Sequence, residues 1–478
     1  MSLTKRWRII AAPSAPAITF RGRSWSYGAL AQRVAKARGL LANQGLVSGE
    51  IVALHMHKDV DSLVLHLAAL DLGLVTLPLN PSYAAAEVTW MLEDADAAFC
   101  VVNAPTARPS IASDQIKGRI DDATPADMAE AIGDGTPAVL CYTSGTTGRP
   151  KGALLTHGQI AAYVSALHTA WKWTERDILL HALPLFHVHG LFVAQWGALW
   201  AGAHAVWMDR FSPAIFIEQI AQHNATIAMG VPTFYHRLLP LLGDADLSSI
   251  RLLTSGSAPL PSTTWQAVES LTGHQVVERY GMTEIGIVFS NPLDGPRVPG
   301  SIGVPLDGVE AQIRTRDGQQ CAHGELGELH IRGPSVFSGY LGRPKATADA
   351  LVEGWMATGD LGHMDSRGYV FLAGRRTELI LRGGLNVYPA EVERVLAEAP
   401  GVDEVAVFGV ADPDLGQRVH AALVVSAPID VESLLARAKS KLARYKLPDR
   451  LHIMDALPRN AMGKVMRATL SRDFTPSG

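Results

Sequence analysis

Cysteine is scarce in this chain of 478 residues, occurring only as Cys100, Cys141 and Cys321. An odd, widely spaced trio supports neither a disulfide framework nor a zinc cluster, and reads as three small buried hydrophobes. A surplus of either charge is also lacking. Lys and Arg number 42 against 46 Asp and Glu, a net charge of −4, so the footprint of a nucleic-acid binder is absent. Clean membrane spans are missing: the longest apolar run, residues 190–207, holds Gln195, His204 and three glycines, and is expected to be a buried element. The opening MSLTKRWRIIAAPSAP is basic, but Pro13 and Pro16 break its short apolar run. No signal-type core forms there, and cytoplasmic residence is expected. Internal repeats and low-complexity tracts are lacking too, and the oligomeric state is left open.

What is present is globular: 47% hydrophobic and 18% charged residues give enough apolar surface for a large core. Short apolar runs alternate with helical patterns from the start (AITF, then YGALAQRVAKARGLLANQG, then EIVALHM, then DSLVLHLAALDLG). That alternation predicts βα units and parallel sheet. Residues 103–137 are polar and rich in Pro and Ala, and read as a surface connection. Further runs, DILLHALPL, HAVWM, TIAMGVP and IRLLTSGSA, each close on Gly, Pro or Ser, where open α/β sheets place ligands. Residues 300–374 change to short strands and turns, an all-β subregion. The segment after Arg375 reads as a small α+β unit.

The most informative local signal is YTSGTTGRPKG at 142–152, directly after an apolar strand. Its three glycines remove Cβ bulk, its Ser and Thr hydroxyls donate, and Lys151 adds charge, a loop suited to a polyphosphate. It matches neither the Walker A pattern nor a dinucleotide fingerprint.

Further motifs follow in order: LPLFHVHG at 183–190, ERYGMTE at 278–284, TGD at 358–360, GRRTELILRGG at 374–384 and PRNAMGK at 458–464. With the glycine-rich loop, this series resembles the acyl-adenylate-forming superfamily of acyl-CoA synthetases, peptide-synthetase adenylation domains and luciferases, over nearly the whole chain. The resemblance implies an α/β fold. A large N-terminal body (1–376) of mixed and parallel sheets with flanking helices and a β subregion would precede a small mobile C-terminal domain (377–478).

The resemblance also implies ATP, Mg²⁺ and coenzyme A as cofactor and substrates, with a small carboxylic acid as the fourth partner. Thr143, Ser144, Gly145, Thr146, Thr147, Gly148 and Lys151 would bind phosphates. Gly256, Ser257 and Ala258 would lie against adenine, and Glu278, Arg279, Tyr280, Gly281 and Met282 would continue the nucleotide site, with Tyr280 stacking on the base. Asp360 would accept the ribose hydroxyls, assisted by Arg375. Thr283 would bond the α-phosphate and Glu284 would ligate Mg²⁺. Lys464 would bridge the attacking carboxylate and the α-phosphate. Thr377 stands where the family's hinge usually carries Asp or Lys. Gly383 and Gly384 would face the thiol tunnel after the hinge turns.

His187 and His189 have H-x-H spacing, but no third ligand accompanies them, and His187 is expected to border the acyl pocket with Ser255. Within the superfamily, GVPTFYHRLL, SGSAPL, ERYGMTEIG and NPLDGPRVPGSIGVPL look most like malonyl-CoA and methylmalonyl-CoA synthetases. On that likeness Arg237 would pair with a distal carboxylate; on residue type alone it would be a solvated helix residue. Some members bring an arginine from the stretch after SGSAPL, whereas residues 261–273 here contain no Arg or Lys. A generic short-chain, medium-chain or aryl acid–CoA ligase would share every catalytic motif. A carrier-loading adenylation domain would need a phosphopantetheinylated partner, and a non-enzymatic nucleotide sensor would release no pyrophosphate on mixing acid and ATP. The basic run 437–450 reads as a solvated helix face, or as a surface for CoA phosphates.

Overall fold

The structure, a computed structural model, describes residues 3–104, 106–129, 132–143, 150–383, 385–460 and 463–475. Among them, parallel strands Pro16–Phe20, His204–Trp207, Ile178–His181, Ile227–Gly230, Leu252–Ser255 and Val277–Met282 lie side by side in a nine-stranded sheet. Antiparallel strands close both edges, Arg23–Ser26 at one and Gly286–Ser290 with Val304–Pro305 at the other. The expected βα alternation produces this because each crossover supplies a covering helix.

A seven-stranded sheet is built around parallel Ile51–His55, Val75–Leu79, Phe99–Val101 and Pro137–Thr143, with Lys151–Thr156 antiparallel to the last of these. Its helix His157–Ala170 starts on a capping box, Thr156 accepting from Gln159 N–H and Gln159 accepting from Thr156 N–H. Gly286, at φ +64°, lets Tyr163 of that helix pack against strand Gly286–Ser290, since a Cβ there would lie 2.2 Å from the ring.

The expected β subregion is an antiparallel sheet containing Glu310–Arg314, Gly327–Arg332, Trp355–Met364 and Val370–Arg375. A fourth sheet carries Ile380–Arg382, Leu385–Val387, Val402–Asp412, Gly416–Val425 and Arg450–Ile453. It has its own cores, one around Val392, Val407, Val419 and Leu434 and another around Phe408 and Leu470.

Two expectations about segments resolve differently. The run 190–207 is buried, as its Gly, Gln and His content suggests, but it opens as a π-helix, His189–Gln195, before helix Trp196–Ala201 and strand His204–Trp207. Residues 103–137 are more than a connection, since they contain strand Ser110–Ile111 and helix Ile116–Asp122. Ile116 and Ile120 anchor that helix, and their spacing of four is the signal hidden in the polar text. Among the described residues, no helix is long and apolar enough to cross a membrane.

Candidate active site

The carboxyl ends of strands Pro137–Thr143 and Val277–Met282 open on one cleft, which strand Trp355–Met364 and the 458–466 loop complete. Its cavity is about 400 Å³ and brings together Thr143, Lys151, His187, Ser257, Arg279, Gly281, Met282, Thr283, Glu284, Arg375, Thr377 and Lys464. Residues more than 300 positions apart thus converge where open α/β sheets bind ligands.

Thr143 pairs with Lys151 across an antiparallel ladder, so the two flanks of the phosphate-loop motif lie side by side. Ser144, Gly145, Thr146, Thr147 and Gly148 lie outside the described residues, as does Gly384. The Lys151 ammonium sits 5.1 Å from the Tyr340 ring centroid. Glu284 is buried at 4% exposure. Burial raises its pKa, while the Tyr340 hydroxyl donates to its Oε1 at 2.9 Å.

Asp360 is also buried, its Oδ1 3.0 Å from Arg375 Nε and its Oδ2 accepting the Tyr280 hydroxyl. Tyr280 itself does not line the cleft, although its neighbours Gly281, Met282 and Thr283 do. Its ring packs edge-on against Phe289, and its hydroxyl donates to Asp360.

Lys464 reaches the cleft from a tight turn in which Lys464 N–H donates to Asn460 Oδ1 and Asn460 N–H donates to Lys464 C=O. Gly463 supplies the φ of +77° that the turn requires. Burial, followed by the nearby Arg375 charge, lowers the Lys464 pKa. Thr377 lies in a 3₁₀ turn, Arg376–Glu378, at the junction between the third and fourth sheets. Arg376 is tied to Glu328 at 2.8 Å, and Glu378 to Arg467 at 3.1 Å. Gly383 stands on an exposed hairpin away from the cleft lining.

The acyl side corrects the sequence reading most. Helix Pro232–Leu242 buries Tyr235, Leu238 and Leu242. That spacing of three and four puts Arg237 on the outward face, where it is exposed and does not line the cleft. The solvated alternative for Arg237 is the one the structure adopts.

Arg279, by contrast, lines the cleft. It is 5% exposed, and its Nε and one terminal nitrogen have no hydrogen-bond partner among the described residues. Burial pulls its pKa down to about 9. The guanidinium lies over Gly256, where a Cβ would come within 2.4 Å of its central carbon. Gly256 thus makes room for the Arg279 guanidinium. Neither Gly256 nor Ala258 lines the cleft, and only Ser257 of that segment does, at the unusual φ of +71° for a residue with a side chain.

Ser255 is likewise outside the lining, with its Oγ buried and unpartnered. Glu278 turns away too, its carboxylate accepting Gly300 N–H at 2.9 Å, and burial raises its pKa to about 7. It braces the strand end rather than touching the cleft.

His187 lines the cleft, its pKa driven down to about 4 by burial and by the Arg279 charge. His189 lines it as well, its Nδ1 3.3 Å from Ser257 Oγ. Burial, then Arg279, His187 and His181, keeps His189 neutral at pH 7. Among the described residues no group of three or more His, Cys, Asp or Glu side chains is placed to hold a metal ion. Tyr340 is a polar lining residue that no short motif flags, because it arrives through long-range pairing with Ala153.

This geometry has known counterparts. The AMP-binding enzyme family matches residues 6–341, and the AMP-binding enzyme C-terminal domain matches residues 391–464. The mitochondrial malonate–CoA ligase ACSF3 of Mus musculus is 35% identical over 504 aligned positions, covering 94% of this chain and 85% of that protein. The indoleacetate–CoA ligase of Aromatoleum aromaticum is 34% identical, with 95% and 94% coverage. The ATP-bound crystal structure of MatB from Rhodopseudomonas palustris superimposes with a TM-score of 0.94 at 38% identity, covering 99% of each chain.

Proposed function

This chain belongs to the AMP-binding enzyme family, and we propose that it is an ATP-dependent, AMP-forming acid–CoA ligase whose acid is malonate or methylmalonate. The observation that carries the substrate reading is Arg279, a buried guanidinium without a full set of partners in the same cleft as Lys464. A buried charge is expensive to leave unpaired, and a ligand that brings a second carboxylate relieves it. The distal carboxylate pairs with Arg279 beside His187, while the other carboxylate faces Lys464. The neutral histidines add hydrogen-bonding capacity without a second positive charge, which suits one anionic group.

In the first half-reaction the free carboxylate oxygen attacks the α-phosphorus of ATP and pyrophosphate leaves. Lys464 bridges the two repelling anions, and Thr283 and the 143–151 hairpin with Lys151 orient the phosphates. Asp360 and Arg375 hold the ribose. Glu284 fits Mg²⁺, since a single hard carboxylate completed by phosphate oxygens is a usual Mg²⁺ environment, and no competing cluster of three acidic or imidazole ligands is found among the described residues. When bound, Mg²⁺ neutralises charge on the transferring phosphates. In the second half-reaction the CoA thiol displaces AMP from the acyl carbon, giving the thioester.

The body, 1–376, and the small domain, 377–478, pivot at Thr377 between the two steps, withdrawing Lys464 and presenting Gly383. Cytoplasmic residence completes the reading, supported by three scattered free thiols. The test is CoA-dependent AMP release across malonate, methylmalonate, acetate, butyrate, octanoate and benzoate. The reading expects the two diacids to lead. Preference for benzoate or octanoate would make the chain a generic acid–CoA ligase, a reading favoured by its equal likeness to an indoleacetate ligase.

A further inference from the structure

We infer that Tyr340 is a positioning residue that sets the carboxylate of Glu284 and the ammonium of Lys151 at one fixed spacing, so that Mg²⁺ and the phosphates meet prearranged partners. The inference rests on the proposed role of Glu284 toward Mg²⁺·ATP. It starts from a strap, residues 335–340, that grips Glu284 and its neighbour at three points. Ser335 Oγ donates to Ile285 C=O at 2.7 Å, Phe337 N–H donates to Glu284 C=O at 2.7 Å, and the Tyr340 hydroxyl donates to Glu284 Oε1 at 2.9 Å.

Backbone and side chain of Glu284 are therefore fixed by the same short segment. One carboxylate oxygen is occupied by a neutral donor, which leaves the group its charge and fixes the plane in which the other oxygen is presented. Hydrogen bonding of a ligating carboxylate is a recurrent way of tuning metal sites.

The other face of Tyr340 looks at the phosphate hairpin. Its backbone pairs with Ala153 of strand Lys151–Thr156, and its ring lies 5.1 Å from the Lys151 ammonium. A cation held over an aromatic face loses rotamer freedom before the phosphates arrive. The strap is anchored beyond Tyr340 too. Its backbone N–H donates to Thr347 Oγ1 at 2.9 Å, and Arg343 pairs with Asp94, the carboxylate that also accepts the Tyr142 hydroxyl. One side chain thus couples the two ends of the phosphate site, through its hydroxyl on one side and its ring on the other.

Separate loss of the two functions is the test. Mn²⁺ binding to the full-length enzyme with α,β-methylene-ATP is followed by electron paramagnetic resonance. Nucleotide binding in EDTA and the thermal midpoint are measured alongside. Tyr340→Phe keeps the ring and removes the hydroxyl: its Mn²⁺ affinity should fall at least about tenfold, in the range typical for lost outer partners of metal ligands. Nucleotide affinity in EDTA and the midpoint should stay at parent values. Tyr340→Leu removes both, and nucleotide affinity in EDTA should fall as well.

Parent-like Mn²⁺ binding by Tyr340→Phe, with Glu284→Gln clearly weakened, overturns the inference and leaves the role of Glu284 intact. Parent-like Mn²⁺ binding by Glu284→Gln overturns that role and the inference with it. Equal loss of Mn²⁺ and metal-free nucleotide binding in Tyr340→Phe also overturns it, because a positioning hydroxyl acts on the metal alone.

Discussion

Replacing Arg279 with methionine keeps an unbranched side chain of similar length and removes the cation proposed to hold the distal carboxylate. With malonate, the distal carboxylate would then enter a buried site without its partner. Stranding one member of a buried charge pair costs about 3–5 kcal/mol, and each 1.4 kcal/mol is about tenfold. Arg279→Met should therefore lower kcat/KM for malonate by roughly 100- to 3,000-fold. Butyrate, which puts a methylene and a methyl where malonate puts its distal carboxylate carbon and one of its oxygens, should hold its rate or gain, because it no longer has to sit against an unpaired guanidinium. The free variant should also be at least as stable as the parent, since the orphaned nitrogens are gone. Initial-rate AMP release with both acids, together with thermal melts, decides the matter. Equal proportional losses for malonate and butyrate would refute the assignment and return Arg279 to the nucleotide side.

Three other outcomes follow from the same structure. Lys464→Ala should lose acyl-AMP formation by several orders of magnitude yet still convert supplied acyl-AMP and CoA to thioester, and equal loss in both assays would count against the pivot at Thr377. Arg237→Ala, on the exposed helix face, should change stability by no more than about 0.5 kcal/mol and leave malonate selectivity untouched. Glu278→Gln should stabilise the protein more at pH 8 than at pH 5. Burial raises the folded-state pKa from 4.5 to about 7, so the unfolded chain binds fewer protons between those values and stability falls as pH rises through that window. At about 1.4 kcal/mol per pH unit the ionised form weighs on the fold by about 3 kcal/mol at pH 8, and Gln keeps an acceptor for Gly300 N–H. Parallel melts at the two pH values, with identical gains at both, would show that Glu278 is not strained by burial.

The legible parts of the sequence were those whose physics is local. The antiparallel pairing of Thr143 with Lys151 follows from two strand-forming segments that flank a short glycine-rich stretch of sequence. The Asn460–Lys464 turn follows from an Asn side-chain oxygen that accepts Lys464 N–H and a Gly that supplies positive φ. Arg237 and Arg279 show where local reading stops. Both are arginines in conspicuous motifs, and only the helix face of one and the packing of the other over Gly256 separate a solvated cation from a buried one. Gly256 carried the signal: a glycine after a strand implies that something approaches its backbone, but not whether that is a base or a guanidinium. Tyr340 was illegible for a topological reason, since Ala153 and Lys151 stand on a neighbouring strand far away in sequence and Glu284 lies in the turn between strands Val277–Met282 and Gly286–Ser290 of another sheet.

The distribution of charge in the cleft also explains why a diacid can be activated at only one end. Lys464 and Arg375 sit beside Asp360 and Glu284, where each cation has an acidic neighbour and the incoming phosphates are shared among several donors. Arg279 sits among His187, His189 and Tyr235, none of which carries a negative charge at neutral pH. A carboxylate at that end is held by an undivided positive charge, and its lone pairs are committed to hydrogen bonds. The carboxylate at the Lys464 end meets a competing phosphate and is held more loosely, which is the condition for a nucleophile. Binding strength at one end and reactivity at the other are thus separated by where counter-charges are placed, so an Arg279→Lys variant should retain selectivity for diacids but bind them more weakly, lacking the planar fork that accepts two oxygens.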